Sequence, residues 1–336
     1  MNLYIYIEIL EREFLSKLLI GMESASKGIK VYMGRLNSYI KRDFFVPGII
    51  MHKSITPAPQ KINDLLEYKK KEFIFTSLDE EVGLVNLNAK EYLKTRYSNK
   101  TVNLADKIFT WGKFDYDNLV GKFKKYKSKF VLSGNPRVDF WRKDFQFFYK
   151  KKNSIYKDYI LFSLNLHLLS KKETVERLKF LEETNYDKHG FTKKFYKRRL
   201  KDSFKMVEEY FKLIKALSKE TNSTIIVRPH PVDKIKNYDS LKKYNNVKVI
   251  NKGSISEWIH HAKIVIHSGC TGGLEASVRG RPTISFIPFK SSHGHPYCDK
   301  FSIKTKNIKQ CLNIIKKIEN NNIKIKKPNL KNFKSR

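Results

Sequence analysis

Short apolar runs recur along this chain about one helix length apart, and that rhythm constrains its fold more than any other feature. "LYIYIEI" from Leu3 reads as a strand, and "EREFLSKLLIGMESASKG" as an amphipathic helix stopping at Gly28. "IKVYMG", "GIIMHKS", "EFIFTSL", "KIFTWG" and "KFVLSGNP" follow as further strands, closing a first set near Phe140. Strands separated by helix-length segments predict parallel βαβ units.

The stretch "FWRKDFQFFYKKKNSIYKD" then reads as a helix and a polar crossover, after which the pattern restarts. "YILFSL", "TIIVRPHP", "VKVI", "KIVIHS" and "TISFIP" are five more expected strands. A charged, mostly helical insert runs from Ser170 to Thr221. The expectation is an α/β protein of two Rossmann-like, doubly wound parallel-sheet domains facing a cleft. Their expected limits are 1–145 and 155–320, with a basic tail over 321–336. Ligands of such sheets sit outside the carboxyl ends of the strands, so strand-end motifs are where chemistry is sought.

The chain has 336 residues, 40% of them hydrophobic, enough for two cores. Its formal net charge of +35 suits an anionic partner, whether nucleic acid, anionic membrane or phosphorylated substrate. Lys, Asn, Ile, Tyr and Phe are abundant together, however, so compositional drift accounts for part of that charge. Cys270, Cys298 and Cys311 are odd in number and lack metal-type spacing, which points to a reducing compartment without a disulfide framework. No run approaches the ~20 apolar residues of a membrane span. A cytoplasmic protein is expected, able to rest peripherally on the inner membrane face.

Four strand-end motifs carry candidate chemistry. In "VIHSGCTGGLEASVRG", an apolar run stops at Ser268-Gly269 and a helix begins near Thr271. Gly269, Gly272 and Gly273 let a ligand approach the main chain, and amides at a helix start favour phosphate. Glu275 suits two ribose hydroxyls, or else only the helix dipole. In "VRPHP", Arg228 and His230 suit a phosphate or a sugar hydroxyl; a rigid loop with an exposed cation is the alternative. "SLDEEVG" places Asp79, Glu80 and Glu81 after a strand, as a general base or as an acidic first helical turn. "SGNPRVD" offers Asn135 and Arg137, the latter facing the cleft or pairing with Asp139. His52 in "MHKS" completes the set.

Together these segments resemble a family. "SGCTGGLEASVRGRPTISFIP" is similar to the donor-binding segment of glycosyltransferases of the two-Rossmann (GT-B) fold. With "RPHP" before it, the pair resembles bacterial capsule and lipopolysaccharide transferases. "EREFLSKLLIGMESASKGIKVYMG", "SLDEEVG", "FTWG" and "LSGNPRVD" resemble surface carbohydrate biosynthesis proteins. The resemblance runs from about Leu3 to about Asp299.

It implies that Ser268, Gly269, Thr271, Gly272, Gly273 and Glu275 contact a nucleotide-sugar donor, with Arg228 and His230 at its phosphates or transferred group. It implies a glycan or lipid-linked acceptor in the N-terminal domain, whose hydroxyl attacks the anomeric carbon while Glu80, Glu81 or Asp79 takes the proton. It implies no cofactor and no essential metal. "EILEREF" departs from the pattern by lacking a glycine-rich loop, which leaves the acceptor site open. UDP-sugar 2-epimerases and polyol-phosphate transferases are similar at the same glycine segment. A nucleic-acid-binding protein is the alternative of another class.

Overall fold

The computed structural model describes residues 1–35, 46–80, 93, 95–150, 155–166, 171–183, 193–231, 233–291 and 297–321. The chain divides into two units, the first spanning Met1–Phe140 and the second beginning at Trp141.

Unit 1 alternates β1 (Asn2–Tyr6), α1 (Leu10–Ser26), β2 (Lys30–Gly34), β3 (Ile49–His52), α2 (Pro59–Lys70) and β4 (Ile74–Leu78). It continues with α3 (Asn99–Leu104), β5 (Lys107–Thr110), α4 (Lys113–Lys122), β6 (Phe130–Leu132) and α5 (Pro136–Asp139). The six strands lie in the order β2-β1-β3-β4-β5-β6, and every pair is parallel. Tyr4, Ile5, Ile50, Phe75 and Ile108 fill its core from the strands, and Leu65, Tyr68, Val102 and Leu119 from the helices. Pro59 occupies the first turn of α2, where a missing N–H costs nothing. Ser98 and Thr101 close a reciprocal cap on α3.

Unit 2 contains α6 (Phe147–Lys150), β7 (Tyr159–Ser163), α7 (Lys171–Glu183), α8 (Lys193–Glu220), β8 (Ile225–Arg228) and β9 (Val247–Val249). Then come α9 (Ile255–His261), β10 (Ala262–His267), α10 (Thr271–Val278), β11 (Thr283–Phe286), β12 (Ile303–Thr305) and α11 (Ile308–Glu319). Its six strands run β12-β11-β10-β7-β8-β9, again all parallel.

Alternate residues of one strand serve opposite faces. Ile160 and Phe162 join Tyr210, Leu213, Ile214 and Leu217 of α8 on one side of the sheet. Tyr159 and Leu161 join Ile259 and Ala276 on the other. Both faces are therefore covered, which is why β7 is buried throughout and reads as continuously apolar. The second sheet holds six strands where five were expected. β12 is three residues long with a single large apolar residue, too little pattern to announce itself.

Candidate functional site

In unit 2 the strand order reverses between β7 and β10, and the connections leave in opposite directions there. Such a switch point opens a crevice at the carboxyl edge of the sheet. The residues that meet at it are Ser163 to Asn165 from β7 and His267 to Thr271 from β10. The Asn165 amide donates to Ser268 Oγ at 2.8 Å, and Ser163 Oγ lies 3.1 Å from Cys270 Sγ.

Gly269 turns the chain at φ +75°, a conformation costly for residues with a Cβ. Its amide donates to Nδ1 of His267 at 3.0 Å. That makes Nδ1 the acceptor, so Nε2 carries the proton and donates to Ser302 Oγ at 2.8 Å. Burial pushes the His267 pKa down to about 3, so the ring is neutral. α10 then begins at Thr271, and Cys270 before it makes no capping hydrogen bond. The Gly273 amide donates to the Cys270 carbonyl at 3.0 Å. Amides at a helix start that lies at a switch point suit a phosphate.

The structure gives residues of this turn internal roles. Gly272 and Gly273 have a packing reason to lack side chains. A Cβ on Gly272 would lie 2.6 Å from Ser163 Oγ, and one on Gly273 within 2.3–2.5 Å of the His267 ring. They let α10 lie directly on its own sheet. Glu275 is buried and held inside the unit: Oε1 accepts from Arg279 Nη1 at 2.9 Å. Arg279 also donates to the Ser256 carbonyl at 2.7 Å and lies 4.7 Å from the Tyr149 ring centre. The Glu275 carboxylate thus ties α10 to α9 and to the segment entering unit 2.

Arg228 is spent likewise. Its guanidinium donates to the carbonyls of Ile250, Lys252 and Gly253 at 2.7–2.9 Å, which fastens the loop after β9 to the end of β8. His230 is half-buried at the same strand end, and its carbonyl accepts from the Asp233 amide at 2.9 Å.

In unit 1 the switch point lies between β1 and β3. His52 ends β3, but as a packed core residue. Its ring stacks on Tyr6 with centres 4.4 Å apart, and Lys61 Nζ sits 3.0 Å from Nε2. Nδ1 lies 2.9 Å from the Ser54 carbonyl and 3.2 Å from the Ser54 amide, so the ring is held at both nitrogens. Burial first, then the charge of Lys61, holds its pKa well below the usual histidine range. Lys53 pairs with Glu8 across the two strand ends.

The acids after β4 part company. Asp79 accepts from both arms of Arg96, at 2.8 and 2.9 Å, in a bidentate pair. Glu80 meets Lys17 Nζ at 2.6 Å, and both side chains are only 1% exposed. Its Oε2 is buried without a hydrogen-bond partner. Burial works to raise the Glu80 pKa, but the charges of Lys17 and Arg137 outweigh it, and the net shift is downward. Asn135 caps α5 by accepting the Arg137 amide at 2.9 Å, and the Arg137 guanidinium reaches the Glu80 carbonyl at 3.5 Å. Asn135, Arg137, Glu80 and Lys17 therefore form one cluster. Glu81 lies outside the described residues.

Sequence reasoning missed Lys17 and Arg96. Lys17 had a legible trace. The buried positions of α1 are Glu13, Ser16, Lys17 and Gly21, while Leu10, Phe14 and Met22 are exposed. A core-facing stripe of charged and small residues on a helix is the reverse of ordinary amphipathicity. Among the described residues, no group of three His, Cys, Asp or Glu comes together in a way that could hold a metal ion.

No family model matches the chain, and no curated protein sequence does. Solved structures do. A UDP-GlcNAc 2-epimerase from Methanocaldococcus jannaschii, in complex with UDP-GlcNAc and UDP, aligns over 98% of this chain and 95% of its own, at 14% identity and a TM-score of 0.54. The S. aureus MnaA–UDP structure aligns over 95% and 87%, at 11% identity and a TM-score of 0.54. The fold is of the GT-B type. The wall teichoic acid polymerase TagF, solved with CDPG, aligns over 95% and 80%, at 11% identity and a TM-score of 0.53. At these identities the likeness establishes the architecture: two Rossmann-like units in one chain.

Proposed function

We propose that the protein is an enzyme acting on a nucleotide-activated sugar, with unit 2 holding the nucleotide diphosphate at the turn Ser268–Thr271. The observation that carries this reading is the turn itself. It lies at a topological switch point, is bent by a left-handed glycine, and leads into a helix whose N-cap residue, Cys270, makes no side-chain capping hydrogen bond. Ser268, Gly269 and Thr271 line the phosphates. Glu275, Arg228, Gly272 and Gly273 fix the frame around them. Developing negative charge on the departing diphosphate is stabilised by the helix start.

The chemistry falls to the cluster in unit 1. Glu80 is ionised at neutral pH because Lys17 and Arg137 hold its pKa down. Ionisation is what a proton acceptor requires, although a lowered pKa weakens its basicity. In the transferase reading, Glu80 takes the proton of an acceptor hydroxyl that attacks the anomeric carbon, the acceptor being a surface glycan or a lipid-linked sugar. In the second reading, Glu80 works at C2 of the sugar as an acid–base group. The likeness to 2-epimerases over nearly the whole chain favours that second reading as strongly as the first.

Incubation with UDP-, GDP-, CDP- and CMP-sugars in deuterated water, without acceptor, separates them. An epimerase isomerises its donor and incorporates deuterium at C2; a transferase leaves it intact until an acceptor is added. Either activity is expected to survive EDTA. Glu80→Gln is expected to retain nucleotide affinity and lose turnover at least a hundredfold, the usual worth of a general acid–base group. No binding of any nucleotide by the wild-type protein would sink the proposal.

A further inference from the structure

The crossover from β7 to β8 carries far more chain than it needs. α8 has 28 residues, and its core contacts come late: Val207, Tyr210, Leu213, Ile214 and Leu217 are buried. Among positions 194–206 whose side chains are described, none is buried. The described side chains in the first half of α8, about 20 Å long, thus lie outside the fully buried core. α8 as a whole packs on α7.

Its charge is not that of the chain at large. Residues 193–205 hold seven Lys and Arg against one Asp, whereas residues 206–220 of the same helix hold three Lys against three Glu. For the whole chain the ratio is 68 to 33. Compositional drift would load both halves of one helix alike, so the excess is local.

It is also ordered. Lys194, Arg198, Lys201 and Lys205 are all exposed and follow the i, i+4, i+7, i+11 spacing of a single helix face. Neighbours at this spacing stand about 5–6 Å apart, inside the ~8 Å screening length of physiological salt, so their fields add. Leu200 and Phe204 are half-buried on the same half-helix, and Val175 of α7 is 65% exposed. Apolar side chains beside cations suit the boundary between headgroups and acyl chains. A nucleic-acid backbone offers phosphates and no place to bury them. Among the described residues no helix is long and apolar enough to cross a membrane, so contact would be peripheral.

We propose that this cation stripe on α8 docks the protein onto an anionic lipid surface. The assignment is independent of what the strand-end sites bind.

The test is co-sedimentation of the full chain with phosphatidylcholine vesicles, with and without an equal part of phosphatidylglycerol. Wild-type protein should pellet with the anionic vesicles alone and be released by salt. Replacing Lys194, Arg198, Lys201 and Lys205 together by Glu should cut partitioning by about tenfold or more, since each cation near an anionic leaflet contributes separately. The four-fold Gln variant, gentler on the fold, should lose less in the same direction. A control with Lys100, Lys124, Lys125 and Lys127 of unit 1 changed to Glu alters net charge equally and should pellet like wild type. Equal loss in that control would overturn the proposal, as would equal binding to neutral and anionic vesicles, or full binding by both α8 variants. Duplex DNA bound through the same four residues, with anionic vesicles ignored, would overturn it too and assign the stripe to a nucleic acid.

Discussion

Glu275 shows how much a side chain's surroundings decide its meaning. On sequence it is a free carboxylate at a helix start; in the fold it is one half of a buried pair with Arg279. Removing one partner of such a pair leaves the other charge uncompensated, at a cost of about 3–5 kcal/mol. Arg279 keeps the Ser256 carbonyl, so Glu275→Gln should fall near the lower end, about 3 kcal/mol by urea denaturation. A loss under about 1 kcal/mol, the size of a helix-dipole effect, would show that the pair matters little. Its partner was out of reach of sequence reasoning for a simple reason. Arg279 lies in the stretch "SVRGRP", where either Arg reads as an ordinary cation ending a helix. The partner of Asp79 was out of reach in the same manner, because Arg96 stands 17 residues further on. Glu80 was legible as a candidate, yet Lys17 beside it comes from a helix 63 residues earlier.

At the scale of elements, the strand–helix turn after β10 rests on a ring. His267 is fixed at both nitrogens, by Gly269 and Ser302, and α10 lies against it through Gly273. Ser163 Oγ, which opposes Gly272, can rotate aside; the ring cannot. Gly273→Ala should therefore destabilise unit 2 by about 1–3 kcal/mol, the ordinary cost of overpacking. Gly272→Ala should cost less, and Ser163→Ala should relieve it; equal melting temperatures for the two glycine variants would refute this ordering. Eleven of the strands were readable because each is a run of apolar residues bounded by turn chemistry. The reason for the glycines was not readable. A close approach looks the same in sequence whether the visitor is a ligand or the protein's own sheet.

At the scale of the molecule, each unit carries, among its described residues, one buried neutral histidine, His52 in the first and His267 in the second. Both have folded pKa values below the unfolded value of about 6.5. Their contribution is fully present above that pH and is lost as pH falls toward the folded pKa, which for His267 is about 3. Stability should decline below pH ~6.5, by up to about 1.4 kcal/mol per pH unit for each ring. The carboxylates join only near pH ~4.3, when Glu80 begins to lose the ion pair that favours its charged form. Urea midpoints measured between neutrality and pH ~5 test the histidines before the acids enter. A flat profile there would mean that the rings are not held neutral, and His267→Gln should remove part of the slope.

The order of strands in the second sheet also sets a timetable. β7 is made first and stands at the centre of its sheet, but its neighbour across the crevice, β10, arrives much later. Ser163 and Cys270, which meet there, are 107 residues apart. At the ribosome's pace of about 5–20 residues per second, β7 waits on the order of 5–20 s for the strand that completes the turn. The first sheet, complete at Leu132, has emerged before that wait begins. The nascent chain thus carries a finished first sheet while an apolar central strand of unit 2 stands half-paired, and that is the interval in which a chaperone has something to hold.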